Sequence, residues 1–230
     1  VTDVITLTPK AAFTGLVDGR ALAPDRLAGL TGSQLGALPL PVEGRGAVPL
    51  GDLCRIVGDS SQTLRLEGDW SAVNGLGSGM TGGRLEVTGS AGDDVGLGML
   101  AGGEIVIRGR AGNEAGARMR RGVIYVGGAA GAGAGRSMIA GTLVIAGPAG
   151  PNLALWNKRG SIIALAEFTI PVTYRYDCSY HPPTVPLLLG RLARLYGARI
   201  GAEQIAGRYR RYSGDLAESG KGEILAWMAA

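Results

Sequence analysis

The residues of this chain best placed to do chemistry are six cations, Arg118, Arg120, Arg121, Arg136, Lys158 and Arg159. They lie in the stretch 104–160, which has eight basic and two acidic side chains, a local charge of +6 in a chain of net +4. Cations gathered on one rim attract a polyanion; the competing reading is a solvated face or a salt-bridged contact with a neighbouring protein. Nucleic acid fits poorly, because only Trp156 interleaves with these charges and no nucleic-acid module is present. Other reactive residues are sparse. Cys54 and Cys178 are far apart, and His181, the single histidine, sits between Tyr180 and Pro182. Asp93-Asp94 is an acid pair without a base beside it. Gly131-Ala132-Gly133-Ala134-Gly135-Arg136 has the glycines of a dinucleotide loop but runs into a strand rather than a helix. The expectation is a chain with no catalytic residue and no metal site of its own.

Composition narrows the class. Of 230 residues 46% are apolar and 41 are glycine. There is no Gly-X-Y period, which excludes collagen, and the glycines alternate with Val, Ile and Leu, which argues against disorder. Two separated cysteines read as reduced thiols of a cytoplasmic protein. No apolar run is long enough for a membrane span, and Val1-Thr2-Asp3 has no leader-like pattern.

The elements that must position the cations are repeats. Gly83-Arg84-Leu85-Glu86-Val87-Thr88-Gly89 recurs as Gly103–Gly109, Gly122–Gly128 and Gly141–Gly147, with an opening copy at Leu64 and Leu66 and a degraded one at Ile162 and Ala164. The spacings are 21, 20, 19, 19 and 19 residues. Each copy reads as a short strand with apolar side chains two apart. Leu64, Leu85, Ile105, Ile124, Leu143 and Ile162 form one inward column, and Leu66, Val87, Ile107, Val126, Ile145 and Ala164 a second. A third runs Met80, Leu100, Met119, Met138, until Asn157 breaks it. The period predicts an all-β fold: a single-stranded parallel β-helix, a right-handed solenoid of six to seven coils with an N-terminal cap and a C-terminal helical extension. The boundaries read are 1–62 for the cap, 63–168 for the solenoid and 169–230 for an extended segment and helices. A helix is expected over Leu187–Tyr196, with Leu188, Leu192 and Leu195 on one face, and another from Glu223 onward.

The same register aligns the charges. Arg120 and Lys158 share one column and Arg121 and Arg159 the next, each pair two rungs or about 10 Å apart; Arg118 and Arg136 lie in the same turn region. The outward strand positions run Arg65, Glu86, Val106, Tyr125, Val144, Ile163. Their apolar part needs cover from the chain's own C-terminal helix or from a partner.

Asn74-Gly75-Leu76-Gly77-Ser78-Gly79-Met80-Thr81-Gly82-Gly83 and the copies after it resemble the GxGxG domain. That domain is shared by glutamate synthase large subunits and the C-type subunit of formylmethanofuran dehydrogenases. Arg118-Met119-Arg120-Arg121-Gly122, Met138-Ile139-Ala140-Gly141-Thr142 and the tail Tyr212-Ser213-Gly214-Asp215-Leu216-Ala217-Glu218-Ser219-Gly220-Lys221-Gly222-Glu223-Ile224-Leu225 favour the second family, over residues 35–230. The resemblance implies a non-catalytic β-helical subunit of a one-carbon complex that moves a formyl group from tetrahydromethanopterin to a furan carrier and hydrolyses it to formate. Its implied partners are formyltransferase, amidohydrolase-type and dehydrogenase-B-like subunits, with metals held by sister subunits. It also implies a use for the rim: Arg118, Arg120, Arg121, Arg136, Lys158 and Arg159 would contact the polyglutamate tail of methanofuran or methylofuran. With 20 Arg to 3 Lys, the composition leans to the bacterial formyltransferase/hydrolase complex over the archaeal molybdenum or tungsten dehydrogenase. A stand-alone β-helix enzyme acting on an acidic polysaccharide is the reading from another class; Glu104 and Glu114 are the only acids in the basic stretch to serve it.

Overall fold

A computed structural model describes residues 4–59 and 61–229; Val1-Thr2-Asp3 lie outside the described residues. The chain opens with strands β1 (Ile5–Pro9) and β2 (Val17–Asp18) and the short helices α1 (Pro24–Leu27) and α2 (Gly32–Ala37). Hairpin strands β3 (Pro39–Val42) and β4 (Gly46–Pro49), helix α3 (Leu50–Leu53) and strand β5 (Cys54–Val57) complete this part. Thr31 starts α2 with a reciprocal capping box to Gln34, which satisfies two amides that helix geometry leaves open. The repeats supply β6 (Thr63–Leu66), β8 (Arg84–Val87), β9 (Glu104–Ile107), β10 (Val123–Val126), β11 (Thr142–Ile145) and β12 (Ser161–Ala164), with the short β7 (Val73–Asn74) inside the first. Then come β13 (Arg175–Tyr180), α4 (Thr184–Tyr196), α5 (Ala202–Ile205), β14 (Tyr209–Gly214) and β15 (Gly222–Trp227).

The all-β parallel β-helix expected from the period is not the fold observed. The strands form a mixed 11-stranded sheet, in the order β13-β14-β15-β12-β11-β10-β9-β8-β6-β1-β5, and a separate four-stranded sheet, β4-β3-β2-β7. Antiparallel pairs close both ends of the large sheet: β5 on β1, and β14 on β15 with β13 beyond it. Helix α4 packs on the face. The physical reason is edge pairing. A ladder of four-residue strands has open N–H and C=O groups at each end, and the non-repeating segments satisfy them. A period reports only the repeats and is silent on how the flanking chain hydrogen-bonds.

Within that sheet the repeat strands stack parallel and in the register of the two predicted columns, Leu64–Leu85–Ile105–Ile124–Leu143–Ile162 and Leu66–Val87–Ile107–Val126–Ile145–Ala164. Every member of the first column is fully buried. A thinner ladder of single parallel bridges runs through Trp70, Ala91, Ala111, Ala130 and Ala149. The third column needs a correction. Met99, not Leu100, is the buried member beside Met80, Met119 and Met138, and Leu100 is 47% exposed. The longer spacing between Leu85 and Ile105 arises from one extra residue between Met99 and Ile105, so aligning back from the strand shifts the column by one. The last rung is regular despite Trp156 and Asn157: Asn157 is buried and closes a ring with Gly160, its Nδ2 donating to the carbonyl at 2.8 Å and its Oδ1 accepting from the amide at 2.8 Å.

The outward apolar column is covered by the chain itself. Val106, Tyr125, Val144 and Ile163 pack against Val185, Leu189, Leu192 and Tyr196 of α4. The helix is rotated from the predicted face, leaving Leu195 and Leu187 exposed. Glu104 fastens it, accepting from Arg191 and from the Tyr196 hydroxyl, while Arg84 stacks on the Tyr196 ring at 4.7 Å. The helix expected from Glu223 is strand β15, parallel to β12 through Ile162–Ile224 and Ile163–Leu225; its partner lies too far away in sequence for local spacing to reveal. Its final position, Ala230, lies outside the described residues.

Candidate functional site

The cations sit on turns whose backbone is fixed by left-handed residues. The first such turn has Gly75, Gly77 and Gly79 at φ between 63° and 75°. Three rungs on, the same three positions recur as Gly133, Gly135 and Ser137. A β-carbon at Gly135 would stand 2.4 Å from Ile162 Cδ1, so on this rung the middle position has no room for a side chain; on the last rung that position is the buried Ala154, at φ 57°. The outer positions are less confined by the core: nothing lies within 4 Å of a β-carbon at Gly98, and those at Gly75, Gly79 and Gly133 would meet the side chains of Arg20, Arg26 and Glu114. Elsewhere the outer positions hold Asp94, Glu114, Arg118, Ser137, Asn152 and Trp156, all at positive φ, despite a strain of about 1–2 kcal/mol each. Amides of outer positions donate forward to the next rung, as from Gly79 to Leu97 and from Arg118 to Arg136. Amides of middle positions donate backward, as from Gly96 to Leu76 and from Gly135 to Ala115. Alternating handedness thus keeps the turns hydrogen-bonded in both directions while presenting side chains on one face.

Asp93-Asp94 proves structural at its first member. Asn74 Oδ1 accepts from the Asp93 amide at 2.9 Å, Asp93 Oδ1 from the Asn113 amide at 2.6 Å, and Asn113 Oδ1 from the Ala132 amide at 2.9 Å. The ladder stops at Ala132, which has no acceptor to offer, and one rung on stands Pro151, which has no N–H to need one. Asp94 faces outward; burial, then Asp93 and Glu114, push its carboxyl above the ordinary value, with Arg20 and Arg118 opposing.

The structure places the six cations as follows. Amides of Arg120, Ile139 and Lys158 donate to the Met99, Met119 and Met138 carbonyls, each at 2.8 Å, so Arg120 and Lys158 share a column with Ile139 between them. Arg121 and Arg159 follow one residue on. Arg118 precedes Met119 at φ 56°. Arg136 Nη1 donates to Glu114 Oε1 at 2.9 Å, and its guanidinium lies 4.6 Å from the centre of the Trp156 ring. Lys158 pairs with Glu218 at 3.8 Å. Arg118, Arg120, Arg121 and Arg159 are exposed and make no ion pair among the described residues. The face also holds Leu100 and Trp156, each more than 40% exposed, so it is basic and partly apolar.

Sequence reasoning missed what closes this face at its last rung. The Trp156 amide has no following rung to donate to and instead meets Asp215 Oδ2 at 2.7 Å. The fully buried Asp215 also accepts from the Ala217 amide at 2.8 Å. The buried Tyr174 hydroxyl donates to the Ala154 carbonyl, and the Ser219 hydroxyl to that of Lys158. Glu114 as the partner of Arg136 was visible in principle, since both lie in turns one period apart; Asp215 and Tyr174 carry no such signal. His181 is exposed, with its Nδ1 3.3 Å from the Ala206 carbonyl oxygen. Among the described residues no group of three or more His, Cys, Asp or Glu could hold a metal ion, and no helix is long and apolar enough to cross a membrane.

No family model matches the sequence. The chain is 30% identical over 93 residues to the C-type subunit of a molybdenum-containing formylmethanofuran dehydrogenase of Methanosarcina barkeri, a match spanning 38% of this chain and 31% of that protein. It is 33% identical over 92 residues to the Methanothermobacter marburgensis protein of the same name, spanning 39% of this chain and 23% of that one. The matched stretch is thus under a third of these relatives' length. Among solved structures, a chain of the formyltransferase/hydrolase complex (FhcABCD) of Methylorubrum extorquens, crystallised with methylofuran, is similar over 97% of this chain and 100% of that one, at 32% identity and a TM-score of 0.65.

Proposed function

The chain belongs to the family that contains the C-type subunit of formylmethanofuran dehydrogenase and a chain of the formyltransferase/hydrolase complex, and on that premise we propose that it is a non-catalytic structural subunit of a formyl-transferring, formyl-hydrolysing complex. The observation that carries this reading is end-to-end similarity to a chain of that complex. The partners proposed are a formyltransferase, an amidohydrolase-type subunit and a dehydrogenase-B-like subunit. The basic face adds a role. Arg118, Arg120, Arg121 and Arg159 are free of internal ion pairs among the described residues, and Arg136 is oriented by Glu114 and Trp156. With Lys158 they would hold the polyglutamate tail of a furan carrier. Repeating carboxylates match repeating cations at two-rung spacing, and such attraction weakens with salt.

The test is native mass spectrometry of the tagged chain purified from its own host. Co-purification with a formyltransferase and an amidohydrolase supports the proposal, and a lone monomer overturns it. A molybdopterin or tungstopterin subunit in the complex would instead make the chain a dehydrogenase subunit, the reading that the two archaeal relatives favour. For the tail, the double reversal Arg120→Glu/Lys158→Glu is expected to weaken carrier retention, which in the wild type falls with added salt. Unchanged retention would remove the rim from the reading.

A further inference from the structure

The segments that finish the ladder beyond β12 move the open edge of the large sheet outward rather than removing it, since only closure removes an edge. β13 is the terminal strand: it pairs with β14 on one side and with no strand on the other among the described residues. It is six residues long, and Arg175 to Cys178 are all exposed, so its outward backbone groups can template another strand. The irregularity between Tyr176 and Cys178 deters indiscriminate pairing. The Asp177 carboxylate there is already engaged, by Arg211 at 3.4 Å and by the Ser213 hydroxyl at 3.2 Å. Beside this edge lies an open groove of about 500 Å³ lined by Tyr176, Ser179, Arg208, Arg210, Tyr212 and Met228. Tyr176 is 59% exposed and stands edge-on to the Tyr212 ring, with centroids 6.1 Å apart. An adjoining groove shares Arg210, Tyr212 and Met228 and adds Phe168, Ile170 and one acid, Glu167. Arg208 donates to the Ser179 carbonyl at 3.1 Å. Arg175, Arg208 and Arg210 form no ion pair among the described residues, so this edge is aromatic and carries a surplus of positive charge.

We propose that β13 accepts an extended, acidic segment of a partner subunit as a further strand, its carboxylates meeting Arg175, Arg208 and Arg210 and an apolar side chain seated beside Tyr176 and Tyr212. This inference rests on the chain's being a subunit of a larger complex. In strand addition the backbone supplies affinity and alternate side chains supply selection; here the selection is electrostatic, for carboxylates. A second copy of this chain is the wrong occupant. A two-fold β13–β13 contact is self-complementary and would bring the same unpaired arginines to both sides of one edge, where like charges repel.

Amide hydrogen exchange tests it on the complex purified through a tag on this chain from its own host, with the full chain alone as reference. Residues 175–180 are expected to exchange about tenfold or more slowly in the complex. The photo-reactive p-benzoylphenylalanine in place of Tyr176 is expected to cross-link a peptide of another subunit that carries Asp or Glu. The double reversal Arg208→Glu/Arg210→Glu is expected to remove the protection at 175–180 while exchange in β9, β10 and β11 stays as in wild type. The proposal is overturned if 175–180 stay unprotected in a complex that holds its partners, or if the double reversal keeps the protection. It is overturned equally if the cross-linked peptide comes from a second copy of this chain or carries no carboxylate. A chain that purifies alone overturns the subunit reading itself, and this inference with it.

Discussion

Two thiols show how residue environment governs reactivity. Cys54 is buried at the start of β5, beside β1, and burial pushes its thiol up to about 11 against the opposing pull of Lys10. Cys178 is exposed on β13. Since the thiolate is the reactive form, a disulfide reagent at neutral pH should titrate one thiol per native chain quickly and the second only after unfolding; two fast thiols would refute the burial argument. Asp94 offers a pH test. Its carboxyl is raised first by burial and then by Asp93 and Glu114, so ionisation above its folded-state value opposes folding. That penalty is present at neutral pH and disappears as pH falls through the carboxylate range, when the folded and unfolded forms are both protonated. Asp94→Asn should therefore stabilise the protein at pH 7, by less than about 1 kcal/mol because the group is largely solvated. The gain should close at acid pH, and denaturant melts at both pH values would measure it.

At the scale of elements, the turns make a graded prediction. Gly135→Ala drives a β-carbon to 2.4 Å from Ile162 Cδ1 and 3.1 Å from Met138 Sδ at a φ of 69°, and should cost about 2–4 kcal/mol from overpacking added to backbone strain. Gly98→Ala meets open space at φ 64° and should cost only the strain, about 1 kcal/mol. Equal losses in chemical denaturation would mean that the packing difference between the positions is not felt. Asp215→Ala strips the final turn of the acceptor for Trp156 and should cost about 2–3 kcal/mol, whereas Asp215→Asn, which keeps an oxygen, should cost less. The strand registers were legible in the sequence because inward apolar pairs and flanking glycines repeat locally. Met99 was hidden by a single inserted residue, and β15 by a partner some sixty residues away. Asp215 and Tyr174 could not be read at all, since neither belongs to a repeat and each acts on a backbone group rather than on a side chain.

Across the whole molecule, two apolar clusters share one sheet: Leu64 to Ile162 on the inner side, and Val106 to Ile163 under α4 on the outer. Leu189 is fully buried in the second, so Leu189→Ala should destabilise by about 2–5 kcal/mol and expose the outer column to hydrophobic dyes; dye binding equal to wild type would place the cover elsewhere. The period aligned Arg120 with Lys158 and Arg121 with Arg159, but the acids that pair with Arg136 and Lys158 come from another turn and from the tail. A mixed sheet in place of a uniform parallel array has the same origin, since both ends are finished by chain that does not repeat.

The pairing of β15 on β12 has a consequence for synthesis. β1 can meet β5 and β6 as soon as the first 66 residues are available, so that end of the ladder is closed early. The other end is finished by residues that follow β12 by 58 positions. At a ribosomal rate of about 5–20 residues per second, the β12 edge waits for roughly 3–12 s with its amides and carbonyls unpaired. During that interval every nascent copy on a crowded polysome offers its neighbours the same template. Holding such an edge safe is work for a chaperone, or for a sister polypeptide translated close by.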